Sequence, residues 1–265
     1  MTRVAELMTT PVVSCPSGAT LGDVAALLAE RRIHGVVVLD ESGRPAGLVT
    51  DTDLLAGEWL ADDAESLATM RAMTAGELMT APAVTIDADA DVADAVARLH
   101  DERLARLVAT RDGLPVGVLA TSDLVRQLAH GRLGRASVAD VMSYGVVVCR
   151  EDTTAVQAAR TMTERRTRSL VVVAPDGRPL GVVTGIDLIG LAGADAGERR
   201  VSELMHAPLT IESGATLREA ADRMLHDEVH RLIVVDPAAP DSVPLGAIST
   251  TDIVAEMAQP GSVWR

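Results

Sequence analysis

The chain has 265 residues, 48% of them hydrophobic and 23% charged, enough for one large or two ordinary globular domains. A net charge of −14 argues against a nucleic-acid groove or an anionic membrane surface as the main partner, since both reward a basic footprint. No apolar run reaches the roughly 18–20 residues that span a bilayer, and the start, MTRVAELMTTP, lacks the apolar stretch of a signal peptide. With only Cys15 and Cys149, a disulfide framework is not expected either, and the default is a reducing cytoplasm.

In chain order, an opening segment runs to Met8 and is followed by the β-rich run Val12-Val13. Thr20 and Asp23 then have capping-box spacing, in which the first side chain satisfies orphan helix N–H groups and the acid three residues later reaches back. Leu21, Val24, Leu27 and Leu28 recur at helical spacing. Val36-Val37-Val38-Leu39 and Gly47-Leu48-Val49 read as two strands joined by the Gly/Pro turn Glu41-Ser42-Gly43-Arg44-Pro45. Asp53 starts a second helix. The same β-α-β-β-α grammar returns in three further copies, with capping boxes at Asp91/Asp94, Thr154/Gln157 and Thr216/Glu219. Phe, Lys and Asn are absent and all 24 basic residues are Arg, which points to codon bias in a GC-rich bacterial genome. The core is therefore expected from Val, Leu, Ile, Ala and Met.

The repeat keeps register along the chain. Met8, Met79, Met142 and Met205 open the copies at spacings of 71, 63 and 63, and Asp53, Asp123, Asp187 and Asp252 close them at 70, 64 and 65. Cys15 and Cys149 fall at equivalent places in copies one and three, which reads as repeat core and not as a redox pair. The copies span residues 1–60, 72–130, 136–195 and 198–260. One such unit is too small to bury both faces, so copies are expected to pack in pairs. The Gly- and Arg-rich stretch HGRLGRAS at 130–137 reads as the linker between a first pair, 1–130, and a second, 136–265. The Ala- and Leu-rich stretch from Ala56 to Thr74 reads as a helical connection inside the first pair.

An opening [E/D]-[L/V]-M and a closing G-h-h-[T/S]-x-x-D, with h apolar, recur in order over nearly the whole chain. The repeat resembles the CBS domain, the module named after cystathionine β-synthase. The resemblance implies an α+β fold of paired domains related by a pseudo-two-fold axis, arranged as in the AMP-activated kinase gamma subunit, where two pairs form a flat disc. It also implies clefts that hold AMP, ADP, ATP or S-adenosylmethionine, with adenine lying near Val12–Ser14, Ala83–Ile86, Val146–Val148 and Leu209–Ile211. Most members regulate an attached enzyme, channel or transporter, so the target expected here is a separate protein.

The closing motif has its own chemistry. An Asp at a strand-to-helix turn can accept the hydroxyls of a ribose diol, and a Ser or Thr three residues earlier can donate to a phosphate near a helix N-terminus. Thr50 and Asp53, Thr184 and Asp187, and Ser249 and Asp252 supply both groups, whereas copy two keeps Asp123 but has Ala120 at the hydroxyl position. A plainer reading makes these Asp residues helix N-caps only. Just before the central strands stand His34, Arg106, Arg168 and His230-Arg231, whose side chains suit phosphate oxygens; the kinase gamma subunits place phosphate-contacting residues at a matching His-Arg-Leu. Basic groups there also answer a helix dipole, and for Arg106 that reading is preferred. Copy four is thus the most complete site and copy two the poorest.

Catalytic signatures are missing: there is no G-x-G-x-x-G opening a helix after a strand, no P-loop and no serine elbow. The six His have no zinc-ligand spacing, and His100 and His226 sit at equivalent points of a solvated helix face. The reading is a regulatory sensor and not an enzyme, with an adenosine ligand, an unidentified target protein and room for a homodimer. Its alternatives are a ligand-independent dimerisation or docking module and, more weakly, a small nucleotide hydrolase.

Overall fold

Each long helix starts on a capping side chain and ends without a glycine, and both facts decide where the next strand begins. The computed structural model describes residues 2–58, 64–128, 136–191, 196–239 and 243–259. The four long helices run Leu21–Arg31, Val92–Asp101, Ala155–Glu164 and Leu217–His226. Thr20, Thr154 and Thr216 accept from the backbone N–H three residues on, as their spacing predicts. The Asp91 side chain instead accepts from Ala93 N–H, and Asp94 N–H bonds to the Asp91 carbonyl. Leu21, Val24 and Leu28 are buried, whereas Leu27 is half-buried at the margin of the apolar stripe.

At the C-terminal ends Arg32, Arg103, Arg166 and Glu228 adopt left-handed backbone conformations, with φ of 49°, 53°, 51° and 54°. The next residue returns its N–H to a carbonyl five positions back: Ile33 to Leu28, Leu104 to Leu99, Thr167 to Met162 and Val229 to Met224. These are Schellman-type stops made without glycine. They turn the chain so that the central strand begins three residues after each left-handed residue.

Each repeat then forms one sheet. A short first strand (Ser14–Pro16, Thr85–Asp87, Val148–Cys149, Thr210–Glu212) lies parallel to a central strand (Gly35–Leu39, Arg106–Arg111, Ser169–Val173, Arg231–Val235). The central strand pairs antiparallel with a third (Pro45–Thr50, Leu114–Ala120, Pro179–Thr184, Gly246–Ser249), and a closing helix follows (Asp51–Glu58, Thr121–Leu128, Gly185–Ile189, Thr250–Met257). This is the predicted β-α-β-β-α order in an α+β fold. The first strands of repeats one and three begin a little later than the valine runs that signalled them.

The opening segments leave their own repeats. Arg3 bridges to Asp91 and Thr74 to Thr20, while Ser137 bridges to Thr216 and Arg200 to Thr154. Repeats one and two thus exchange openings reciprocally, and so do three and four. The structure divides into two compact units: residues 1–12, 84–146 and 209–265, and residues 13–83 and 147–208. In the first unit Leu99, Leu107, Leu119 and Leu124 of repeat two share a core with Leu217, Leu232, Ile248 and Ile253 of repeat four. In the second, Leu28, Val36, Leu54 and Leu55 of repeat one share a core with Met162, Leu170, Val183 and Leu188 of repeat three. A helix at Ala64–Ala72 lies in the expected connection between repeats one and two. Most of the expected linker at 130–137 falls outside the described residues.

Candidate functional site

Where the third strand gives way to the closing helix, the backbone N–H groups of the first turn need acceptors. The closing carboxylates answer that need from the third helical position. Asp53 Oδ2 accepts from Thr50 N–H and Oγ1 at 2.8 and 2.7 Å. Asp187 Oδ2 does the same for Thr184 at 2.8 and 2.6 Å, and Asp252 Oδ2 for Ser249 at 2.8 and 2.6 Å. Asp123 Oδ2 takes only Ala120 N–H, at 2.8 Å, because no hydroxyl stands there. The hydroxyl residues, and not the Asp residues, are therefore the N-caps, and each pair closes a capping box.

At Asp123, Asp187 and Asp252 the other carboxylate oxygen faces the exchanged opening segment. The residue after each opening Met pairs with the third strand of the repeat it visits. Thr9 is bonded to Val118, Thr80 to Leu48 and His206 to Val182 by backbone N–H and carbonyl groups, and Ser143 pairs with Ala247. Thr9 Oγ1 donates to Asp123 Oδ1 at 3.0 Å, and Ser143 Oγ donates to Asp252 Oδ1 at 3.4 Å. His206 Nε2 lies 2.8 Å from Asp187 Oδ1. Arg126 Nη1 adds a second bond to Asp123 Oδ1 at 3.3 Å. Asp123 is 4% exposed, and burial outweighs these bonds to push its carboxyl above the ordinary aspartate range.

Space for the exchange comes from glycines of the closing motif. A Cβ on Gly47, Gly117 or Gly181 would fall 2.6, 2.4 or 2.6 Å from the Sδ of Met79, Met8 or Met205. On Gly246 it would fall 2.2 Å from the Ser143 carbonyl oxygen. At Gly47, Gly117 and Gly181 the opening Met and the closing Gly are thus two halves of one contact.

The basic edge resolves into two register positions. The carbonyls of His34, Ala105, Arg168 and His230 accept from the first residue of the closing helix, Asp51, Thr121, Gly185 and Thr250. The next position is Gly35, Arg106, Ser169 and Arg231, paired across the strands with Thr50, Ala120, Thr184 and Ser249. Arg168, His230 and Arg231 are exposed. His34 is half-buried and its Nδ1 lies 2.8 Å from the Oδ2 of Asp51, a carboxylate that is 1% exposed. Repeat four alone carries a basic residue at both positions beside a Ser/Asp pair.

Residues 4–58, 75–130, 138–193 and 201–259 each match the CBS domain. The chain belongs to the CBS domain family. Among curated relatives of its CBS repeats, uncharacterized protein MJ1404 of Methanocaldococcus jannaschii is 29% identical over 149 residues, 50% of this chain and 33% of that protein. Inosine-5'-monophosphate dehydrogenase of Mycobacterium leprae is 33% identical over 124 residues, 46% of this chain and 22% of that enzyme. The chain spans about a third or less of the length of these two relatives. Among solved structures, protein MJ1225 of M. jannaschii, put forward as an archaeal homologue of g-AMPK, matches with a TM-score of 0.84 at 20% identity, over 96% of this chain and 99% of that one. An uncharacterized conserved protein from Pyrococcus horikoshii matches with a TM-score of 0.65 at 18% identity, over 96% and 98%. Both are likenesses of fold.

Four CBS repeats therefore present four related carboxylates, each fixed by one oxygen, and at Asp123, Asp187 and Asp252 the other oxygen is addressed by a residue from the exchanged opening. That second residue escaped the sequence reading, although its signal is plain in retrospect: Thr9, Thr80 and Ser143 put a hydroxyl directly after three of the four opening methionines. Cys15 and Cys149 are both free thiols, Cys15 in the core and Cys149 packed against it. Burial raises both, Cys149 to about 11, which leaves it a protonated and unreactive thiol near neutrality. His100 and His226 are exposed, and among the described residues no group of His, Cys, Asp and Glu is placed to hold a metal ion. No described helix is long and apolar enough to cross a membrane.

Proposed function

We propose that this CBS protein is a cytoplasmic regulatory sensor without catalytic activity, which binds AMP, ADP, ATP or S-adenosylmethionine and signals to a separate protein. The observation that carries the reading is the Asp252 carboxylate, held at its helix start by one oxygen while the other is turned toward the Ser143 hydroxyl. Such an oxygen is pre-positioned to accept from a ribose diol, and a small hydroxyl beside it rotates away at little cost. Exposed His230 and Arg231, next to Ser249, suit the phosphate end at Asp252. Arg168 with Thr184 and Asp187, and His34 with Thr50 and Asp53, form the next candidates. Asp123 is the poorest, because Thr9 and Arg126 already occupy its second oxygen. The reciprocal exchange of openings supports pairing repeats one with two and three with four. A ligand acts as a signal when it binds two arrangements of such a pair with different affinity.

A thermal-shift panel of AMP, ADP, ATP and S-adenosylmethionine tests this reading. A ligand bound only by the folded chain adds about 2.7 kcal/mol of stability at 100 times its Kd. The expected result is a shift with one adenosine ligand that Asp252→Ala reduces. No shift with any of them would overturn the sensor reading in favour of a ligand-independent dimerisation or docking module.

A further inference from the structure

Three of the four opening segments place a hydroxyl after the methionine, and the fourth places an imidazole. His206 is the exception, and its position is well defined. Its backbone N–H and carbonyl both bond to Val182, at 2.9 Å each, while Met205 packs on Gly181. The residue is thus pinned by its main chain, and its ring is a side arm whose loss leaves the docking intact. The imidazole side chain is 57% exposed and reaches an Asp187 carboxylate that is 9% exposed. A carboxylate only accepts, so Nε2 carries the hydrogen of this 2.8 Å contact. Asp187 Oδ2 is already committed to Thr184, so the ring occupies the oxygen that a ligand would need.

We propose that His206 is an internal competitor that latches the Asp187 site, so that among the sites with both a hydroxyl and a carboxylate this one fills last and only at higher ligand concentration. The inference rests on the adenosine-ligand reading above. It gives one chain two response ranges: the Asp252 site, where the competing group is a serine hydroxyl at 3.4 Å, and the latched Asp187 site. The difference follows from what must be displaced. A hydroxyl pivots and can still bond to the incoming ribose, whereas an imidazole N–H has to swing off the carboxylate altogether.

Calorimetric titration of AMP into the wild-type chain, His206→Ser and the double variant His206→Ser/Asp187→Asn decides the matter. The serine copies the arrangement at Asp252. His206→Ser is expected to tighten the weaker class of sites by up to about fivefold, the change that corresponds to releasing one side-chain hydrogen bond worth about 1 kcal/mol. The double variant is expected to lose that gain. In parallel, the His206 ring resonances should shift on AMP addition in the wild type and stay fixed in Asp187→Asn. Unchanged or weaker binding by His206→Ser would overturn the latch, weaker binding meaning that the ring itself holds the ligand. Absence of AMP binding in all three proteins would instead overturn the adenosine reading, and the latch with it.

Discussion

At the scale of single residues, the most informative contrast lies between the four closing carboxylates. Asp53, Asp187 and Asp252 each hold a backbone N–H and a hydroxyl, while Asp123 holds a backbone N–H alone on that oxygen. Burial at 4% exposure raises the Asp123 carboxyl above its ordinary value of 3.8. A group that binds its proton more tightly when folded contributes stability at low pH and loses it as pH rises through the raised value. Relative to Asp123→Asn, which cannot titrate, the wild type should therefore gain stability as pH falls from neutrality into the range just above 3.8. Urea midpoints of the two proteins across that range check this, and a difference that shrinks or stays flat on acidification would contradict it. The surface carboxylates Asp40, Glu77, Asp140 and Glu219 are held low by hydrogen bonds and act in the opposite sense, which is why the comparison must be a difference between two proteins.

At the scale of elements, the exchanged openings turn a glycine requirement into a graded prediction. The Met205 thioether beside Gly181 can shift when a methyl group intrudes, because methionine is unbranched and adaptable. The Ser143 carbonyl beside Gly246 belongs to a strand, Ser143–Tyr144, that is hydrogen-bonded to the repeat-four sheet. Gly246→Ala should therefore cost about 1–3 kcal/mol, the range of overpacking in a filled site, and Gly181→Ala clearly less. Denaturant unfolding measures both. Equal losses would mean that the two openings yield alike. Sequence alone made the elements legible, because apolar spacing, capping pairs and Gly/Pro turns are local signals, and both halves of this contact were visible as motifs. That they belong to each other was not legible, since the partner of Met8 is Gly117 in the next copy and nothing local records a swap. The helix stops were equally hidden, because Arg32, Arg103, Arg166 and Glu228 take a left-handed turn that sequence leads one to seek at glycine. The basic edge read as one position resolved into two only through strand register.

At the scale of the whole chain, the cores combine repeats that are not neighbours in sequence. Leu124 and Val125 of repeat two are buried with Ile253 and Val254 of repeat four, and Leu54 and Leu55 of repeat one with Leu188 and Ile189 of repeat three. A fragment of residues 1–130 keeps both of its exchanged openings and all six strands of its two sheets. It loses every apolar residue that repeats three and four lay against its helices. The strand hydrogen bonds would thus survive while the closing helices turn buried leucines to water, at about 25 cal/mol for each Å² left bare. Contiguous apolar surface of that kind drives association, and a second copy of the fragment carries faces related to the missing ones by the internal repeat. The fragment is therefore expected to run as a dimer in light scattering at micromolar concentration, and to unfold at a midpoint that rises with its concentration. A monodisperse monomer with the thermal midpoint of the full chain would show that each sequential pair buries its own core. The cross-repeat packing would then be dispensable to folding.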